Sequence, residues 1–146
     1  MATSTRDQFR HFVEMPVRWG DMDAFGHVNN AVFVQYIESG RVDYFSTVLD
    51  SFGHTDEGPI LGEVTCRFLT QLEYPADLHI GTRVVGLSTR TLRLQTGIFV
   101  GDNHEPAAVG FATVVWFDYR AQQSAVLPAR LLDAVAAFEP EPPEAG

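Results

Sequence analysis

The sequence predicts an α+β fold in which a single antiparallel sheet wraps around one long helix. Three observations predict it. Between Asn30 and Leu49, apolar residues fall at helical spacing around most of the circumference. Four consecutive strand-like segments follow this helix, and a shorter helical segment comes after them. A run of antiparallel strands with a helix against one face is typical of α+β proteins.

Each element has its own signal. The segment 11–19, HFVEMPVRW, is strand-like, and Pro16 within it indicates an edge position. The long helix spans about 30 Å, and Gly40 inside it lowers helix propensity, which indicates a close backbone contact. A turn is predicted at 101–106. Segments rich in Thr, Val, Ile and Phe predict the later strands at residues 59–71, 77–88, 89–101 and 106–119.

The C-terminal part completes a single predicted domain, residues 1–138. VLPARLLDAVAAF forms the second helix, with Pro128 in its first turn. The segment 139–146, EPEPPEAG, is rich in Pro and Glu and is expected to be disordered. A sheet of about five to six strands around one helix leaves an edge strand and one sheet face uncovered. We therefore expect a homodimer or homotetramer.

Composition excludes several classes of protein. The 146 residues carry a net charge of −9 with a pI of about 4.8, which argues against binding nucleic acid or an anionic membrane. Cys66 is the single cysteine, so no intramolecular disulfide forms, as in proteins of a reducing compartment. The N-terminus lacks the apolar region of a signal peptide. The cytoplasm is the expected location.

The loop WGDMDAFGHVNN at residues 19–30 concentrates polar side chains directly before the long helix. The first turn of a helix has free N–H donors and the positive end of the helix dipole, which suit a developing oxyanion. A carboxylate beside such donors, such as Asp23, can act as a nucleophile or base. It can equally be an ordinary aspartate that accepts backbone N–H bonds where a helix begins.

The segment 17–45, VRWGDMDAFGHVNNAVFVQYIESGRVDYF, resembles the signature of hotdog-fold acyl-CoA thioesterases of the 4-hydroxybenzoyl-CoA thioesterase type. In that family, an aspartate in a G-D-x-D-x-x-G-H/I-V loop precedes a long helix with an aromatic residue and an E-x-x-R pair. The likeness is looser elsewhere, as in YPADLHIGTRV at 74–84. The resemblance implies a hotdog fold and hydrolysis of acyl-CoA to a free acid and coenzyme A, with no metal or redox cofactor.

The resemblance also implies roles for the loop. Asp23 is the nucleophile or general base, and the backbone N–H of Asn30 donates to the thioester oxygen. His27 is either a general acid or base, or a residue that orders the loop and lines the pocket. Asp21 holds the loop through backbone bonds. Gly26 permits a positive φ or the close approach of a ligand.

Further residues are implied on the helix and in the sheet. The acyl-pocket wall, completed by a partner subunit, is formed by Phe33, Val34 and Tyr36. Arg90 and Thr91 in STRTLRL match the position where relatives place a basic residue and a small hydroxyl against coenzyme A phosphates. The planar guanidinium of arginine presents several N–H donors in a fixed geometry, which suits the binding of phosphate. A solvated strand arginine is the alternative.

Several alternatives stay open at this point. Glu38 and Arg41 are spaced for an ion pair within the helix, or they pair across a dimer. HVNN also resembles plant-type acyl-carrier-protein thioesterases, which carry an asparagine two residues after the aspartate, where this chain has Phe25. A non-catalytic acyl-CoA-binding protein is a further possibility, because a fold does not determine chemistry.

The sequence excludes two metal sites. DMDAFG begins like a calcium-binding loop, but Phe25 and Val32 stand where an oxygen ligand and a bidentate glutamate are needed. The five histidines and one cysteine have no zinc-site spacing. The expected partner is therefore a small-molecule acyl-CoA.

Overall fold

The computed structural model of the chain describes residues 5–49 and 56–146. Within these residues, two α-helices pack with one sheet of five long strands and two short ones. The helices are α1 (Asn30–Leu49) and α2 (Ala129–Phe138). The long strands are β1 (His11–Pro16), β2 (Glu57–Phe68), β3 (Asp77–Leu87), β4 (Thr91–Val100) and β5 (Ala108–Asp118). The two-residue strands are β6 (Gln123–Ser124) and β7 (Glu144–Ala145).

The long strands are antiparallel and lie in the order β1-β3-β4-β5-β2. Pro16 ends the edge strand β1, where the missing N–H of proline costs the sheet no hydrogen bond. The sheet curls around α1, so the predicted α+β hotdog fold is confirmed. Two predicted strands are too long: β1 ends at Pro16, before a short 3₁₀ turn at Trp19–Asp21, and β2 ends at Phe68.

The helix α1 begins and ends at the predicted residues, Asn30 and Leu49. Its buried residues recur every three or four positions and face the sheet: Phe33, Tyr36, Ile37, Gly40, Arg41, Tyr44 and Phe45. Val42 lies on the opposite side and is 44% exposed. The expectation that protein surrounds α1 is therefore wrong for the single chain, because the sheet covers one face only. Neither described helix is long and apolar enough to span a membrane.

The predicted close contact at Gly40 is confirmed. A Cβ atom at this position would lie 2.7 Å from Cγ2 of Ile80 and 2.8 Å from Oγ1 of Thr82, both on β3. Such separations are shorter than van der Waals contact, so α1 approaches the sheet here at a distance that only glycine permits.

The C-terminal segment differs from its prediction. Glu139 is 9% exposed, and its Oε2 accepts hydrogen bonds from the Tyr44 hydroxyl (2.5 Å) and the Val84 N–H (3.0 Å). Further on, β7 pairs in parallel with β3. The expectation of disorder over 139–146 is wrong. A high content of Pro and Glu indicates an exposed segment, but it cannot show that two donors in the core bind the Glu139 carboxylate.

Burial raises the pKa of Tyr36 and of Tyr44, and hydrogen bonds to Asp21 and Glu139 raise them further. An unfolded tyrosine ionises near pH 10, whereas these folded ones stay protonated above it. Their contribution to the free energy of unfolding should therefore be constant up to about pH 10 and then fall by about 1.4 kcal/mol per pH unit for each tyrosine. Urea unfolding between pH 8 and 11.5 measures this slope.

Replacing either buried tyrosine by phenylalanine should reduce the alkaline slope by about 1.4 kcal/mol per pH unit. Tyr74→Phe is the matched control, since its ring is 45% exposed. A slope identical in the wild type and in both buried variants would contradict the prediction.

Candidate active site

Asp21 anchors the loop that precedes α1. Its side chain is buried, and Oδ2 accepts hydrogen bonds from the Arg18 N–H (2.9 Å) and the Tyr36 hydroxyl (2.8 Å). Its backbone oxygen accepts from the Asn29 N–H (3.0 Å), one residue before the helix. These bonds tie the start of the loop to its end, so the structural role predicted for Asp21 is confirmed.

Asp21 remains an anion despite its burial. Burial alone would raise its pKa, but the hydrogen bonds from the Arg18 N–H and the Tyr36 hydroxyl, with the Arg18 guanidinium 3.2 Å from Oδ1, hold that pKa below its ordinary value. The resulting stabilisation is present above the pKa of an unfolded aspartate and is lost as the pH falls through the lower folded value.

A tight turn places Asp23 beside the helix. Its Oδ1 accepts from the Phe25 N–H (2.9 Å), its backbone oxygen accepts from the Gly26 N–H (3.0 Å), and its own N–H donates to the His27 oxygen (3.0 Å). Gly26 has φ of +82°, as predicted. A Cβ there would meet nothing within 4 Å, so the backbone conformation is what requires glycine.

A pocket of about 340 Å³ lies between this loop, the first turn of α1 and the end of β2. Its polar lining consists of Asp23, His27, Asn30, Thr70 and Gln71. Its apolar lining consists of Phe25, Val28, Phe33, Phe68 and Leu69. Four of the residues named from the sequence thus share one pocket: Asp23, His27, Asn30 and Phe33.

The first turn of α1 brings Asn30 to the lining of this pocket. Asn29 caps the helix, because its Oδ1 accepts from the Ala31 N–H (2.9 Å) and its backbone oxygen from the Val32 N–H (2.9 Å). No acceptor for the Asn30 N–H occurs among residues 5–49 and 56–146. A free donor at the positive end of a helix is suited to hold a developing negative charge.

His27 faces a carboxylate that the sequence did not indicate. Its Nε2 lies 3.2 Å from Oε1 of Glu73, in the segment that follows β2. The neighbouring backbones are joined by the Val28 N–H, which donates to the Leu72 oxygen (2.8 Å). Thr70 and Gln71 of the same segment also line the pocket and were missed. No spacing rule links residues this far apart in sequence.

Tyr36 and Val34 do not line the pocket. Tyr36 is 3% exposed and directs its hydroxyl to Asp21, so it supports the loop from behind. Because apolar residues cover most of the helix circumference, the sequence could not show which aromatic residue turns toward the pocket. Phe33 does so, and its ring packs edge-to-face on that of Phe68 at 5.1 Å.

Arg90 and Thr91 also lie outside this pocket. The Arg90 Nη1 donates to the Ser124 oxygen (2.8 Å), and the Thr91 hydroxyl bonds that of Ser88. Thr91 pairs with Val115 on β5, whereas Phe68 pairs with Ala108, seven residues earlier on the same strand. The two ends are therefore about 23 Å apart along the strands. Within one chain, this pair cannot contact a group held at the pocket.

Glu38 and Arg41 pair within the helix, with Oε2 and Nη2 3.9 Å apart. Burial lowers the pKa of Arg41, and the charge of Glu38 partly offsets this effect. Pairing across a dimer stays a prediction.

Comparison with known proteins identifies the family. Residues 17–135 match the family model of the thioesterase-like superfamily. The chain belongs to this superfamily. A solved thioesterase of Thermus thermophilus, complexed with coenzyme A and Zn, is 30% identical, with a TM-score of 0.81 over 93% of this chain and 99% of that one. The PA5185 protein of Pseudomonas aeruginosa shares the fold, with a TM-score of 0.85 over 92% of this chain and 95% of that one, at 24% identity.

A plant relative of this thioesterase-like chain is longer. The chloroplastic acyl-acyl carrier protein thioesterase ATL2 of Arabidopsis thaliana is 29% identical over 119 residues, which cover 80% of this chain. The chain spans about three fifths of the length of the curated plant relatives it matches. The narrower 4-hydroxybenzoyl-CoA thioesterase type stays a prediction, as do the cytoplasmic location and the oligomeric state.

Within the described residues, no three His, Cys, Asp or Glu side chains are grouped to hold a metal ion. The expectation of catalysis without a cofactor stays a prediction.

Proposed function

We propose that this thioesterase-like chain hydrolyses an acyl-CoA thioester to a free carboxylic acid and coenzyme A. One observation carries the proposal: Asp23 and Asn30, the first residue of α1, line the same pocket. A thioester carbonyl between these groups would meet a nucleophile or base on one side and an oxyanion donor on the other. A nucleophile or base and one oxyanion donor are sufficient for the attack on the thioester carbonyl.

Asp23 can act by two routes. Its carboxylate attacks the acyl carbon and forms a mixed anhydride, which water then hydrolyses, or it removes a proton from the water that attacks. In both routes the carbonyl oxygen becomes negatively charged. The Asn30 N–H then stabilises the transition state by about 3 kcal/mol, the usual contribution of one preorganised donor.

The apolar part of the pocket fits the acyl group. Val28, Phe33 and Leu69 lie beside the polar residues, and Phe33 is almost fully buried against Phe68. An acyl chain held against these side chains would leave water while its carbonyl stays at the helix end.

We also propose that a second copy of the chain pairs with β2. This strand is 12 residues long, and among the described residues its pairing partner is β5 alone. Ile60 and Leu61 on it are 38% and 41% exposed. The other edge, β1, has six residues and ends in Pro16. A long, partly apolar edge favours addition of another strand, and a two-fold axis closes the pair.

Two-fold pairing along β2 would also give Arg90 and Thr91 a role. Antiparallel pairing places the partner's Arg90 and the partner's Thr91 at the same end of the joined sheet as the pocket of this chain. Phosphate groups of coenzyme A extending from the pocket could then meet a guanidinium of the second copy.

The test is release of free thiol from a panel of aliphatic and aromatic acyl-CoA thioesters. We expect turnover of at least one of them, and light scattering should give the mass of a dimer or tetramer. Binding of acyl-CoA without thiol release would support the non-catalytic alternative and contradict the proposal.

Hydrolysis of acyl-carrier-protein thioesters is the second candidate, because the plant relative carries that activity in its name. Phe25 replaces the asparagine of the plant type, and the charge of −9 opposes docking of an acidic carrier protein. An acylated carrier protein belongs in the same panel, and faster thiol release from it than from every acyl-CoA would favour this candidate.

A further inference from the structure

We propose that Glu73 is a positioning residue for His27, and that the imidazole so held protonates the departing thiolate. This inference rests on the proposed thioester hydrolysis. The contact that carries it is the 3.2 Å separation between Nε2 of His27 and Oε1 of Glu73. His27 lines the pocket together with Asp23 and Asn30, whereas Glu73 lies outside the pocket lining on a separate segment, with its side chain 68% exposed.

Both sides of this contact are fixed by backbone bonds. The His27 oxygen accepts the Asp23 N–H, so the turn that places the carboxylate also places the imidazole. Across from it, the Leu72 oxygen accepts the Val28 N–H, so Glu73 follows directly after a residue bonded to the loop. This backbone bond holds the loop and the segment side by side. It brings the His27 and Glu73 side chains within reach of each other.

The contact determines which nitrogen is available. A carboxylate at Nε2 favours a proton on that nitrogen and leaves Nδ1 as the one that gains or loses a proton. The charged groups around the ring are Asp23 in its own loop and Glu73 opposite, since the first turn of α1 contributes the uncharged Asn30. The Glu73 carboxylate therefore holds the ring with Nε2 turned toward it.

A protonated His27 completes the reaction. When the bond between acyl carbon and sulfur breaks, the electron pair leaves with sulfur, and the proton on Nδ1 passes to the thiolate. In the base route, the proton that Asp23 took from water returns through solvent to Nδ1. In the anhydride route, hydrolysis of the anhydride yields two carboxylates and two protons, of which one returns to Nδ1 and the other belongs to the acid product. Each turnover consumes one water and yields one acid and one thiol.

The experiment compares Glu73→Gln with Glu105→Gln, an exposed glutamate on the β4–β5 turn that serves as matched control. Full pH profiles of kcat and KM are measured on an acyl-CoA that the wild type hydrolyses, with circular dichroism to check folding. Replacing the Glu73 carboxylate by an amide weakens the contact that orients the ring, so proton transfer to the thiolate should become slower. At neutral pH, kcat should fall several-fold while KM stays within about twofold.

A second background separates positioning from a structural effect. His27→Gln should lower kcat by about 100-fold. Glu73→Gln added to His27→Gln should then change nothing further, because its effect passes through the imidazole. A ¹⁵N titration of His27 should show a proton preference for Nε2 in the wild type that is lost in Glu73→Gln, without relying on turnover.

The outcomes distinguish the two proposals. Two results with an active wild type would overturn the positioning role alone. In the first, Glu73→Gln behaves like Glu105→Gln. In the second, Glu73→Gln has the same effect whether or not His27 is present. A wild type that releases no thiol from any acyl-CoA would overturn the proposed function and the proton transfer with it, whatever the ¹⁵N titration shows.

Discussion

Asp23→Asn is expected to lower kcat for acyl-CoA hydrolysis by about a thousandfold, with little change in binding of the thioester. The asparagine side chain is nearly the same size, and its oxygen can still accept from the Phe25 N–H, which Asp23 bonds at 2.9 Å. The turn is therefore kept, while the anion that attacks or activates water is lost. Thiol release and equilibrium binding, measured on the same acyl-CoA, check this result.

The hydrogen bond of Asp23 makes the comparison with Asp23→Ala decisive. Alanine removes both the charge and the acceptor, so it should be as inactive as asparagine and also less stable. If Asp23 serves only to accept the Phe25 N–H, asparagine would retain most of the activity and alanine would lose it. Asp133→Asn, on the exposed surface of α2, is the matched control and should leave kcat unchanged.

Gly40→Ala is expected to lower the free energy of unfolding by about 2 kcal/mol, although alanine is the better helix former by about 1 kcal/mol. The new methyl group would stand 2.7 Å from Ile80 and 2.8 Å from Thr82. Both neighbours are β-branched and lie in the centre of β3, so neither can rotate away cheaply. The helix must shift away from the sheet instead. Urea unfolding at neutral pH measures the loss.

Gly20→Ala is the control for Gly40→Ala, because a Cβ at Gly20 meets nothing within 4 Å. This change should alter the free energy of unfolding by less than about 0.5 kcal/mol. If Gly40→Ala were as stable as the wild type or more so, helix propensity would outweigh the contact, and the close packing of α1 on β3 would be contradicted.

The sequence was sufficient for the features that depend on local chemistry. The bounds of α1 follow from the apolar residues at helical spacing between Asn30 and Leu49, and in the structure Asn29 caps the helix that begins there. Gly26 and Gly40 were singled out because glycine at those positions has a backbone or packing reason, and each proved to have one. The role of Asp21 was predictable because a short acidic side chain before a helix accepts nearby N–H groups.

The parts that were missed depend on where distant segments meet. The approach of Glu73 to His27 requires the chain to return from β2 to the loop, which no local pattern encodes. The burial of Glu139 depends on two donors from separate elements of the core. The sequence predicted that Tyr36 lines the pocket. The pattern of an apolar helix does not show which way an aromatic side chain points, and in the structure the Tyr36 hydroxyl donates to Asp21 instead.

The hydrogen bonds of the Tyr36 and Tyr44 hydroxyl groups hold the long helix in place at two points. They stand eight residues, about 12 Å, apart on α1, and each ends on a carboxylate from a different part of the chain. Sliding the helix by a single residue along its groove would break both bonds at once. Thermal motion therefore cannot easily withdraw the Asn30 amide from its place, and the proposed oxyanion donor would be in position before any substrate arrives.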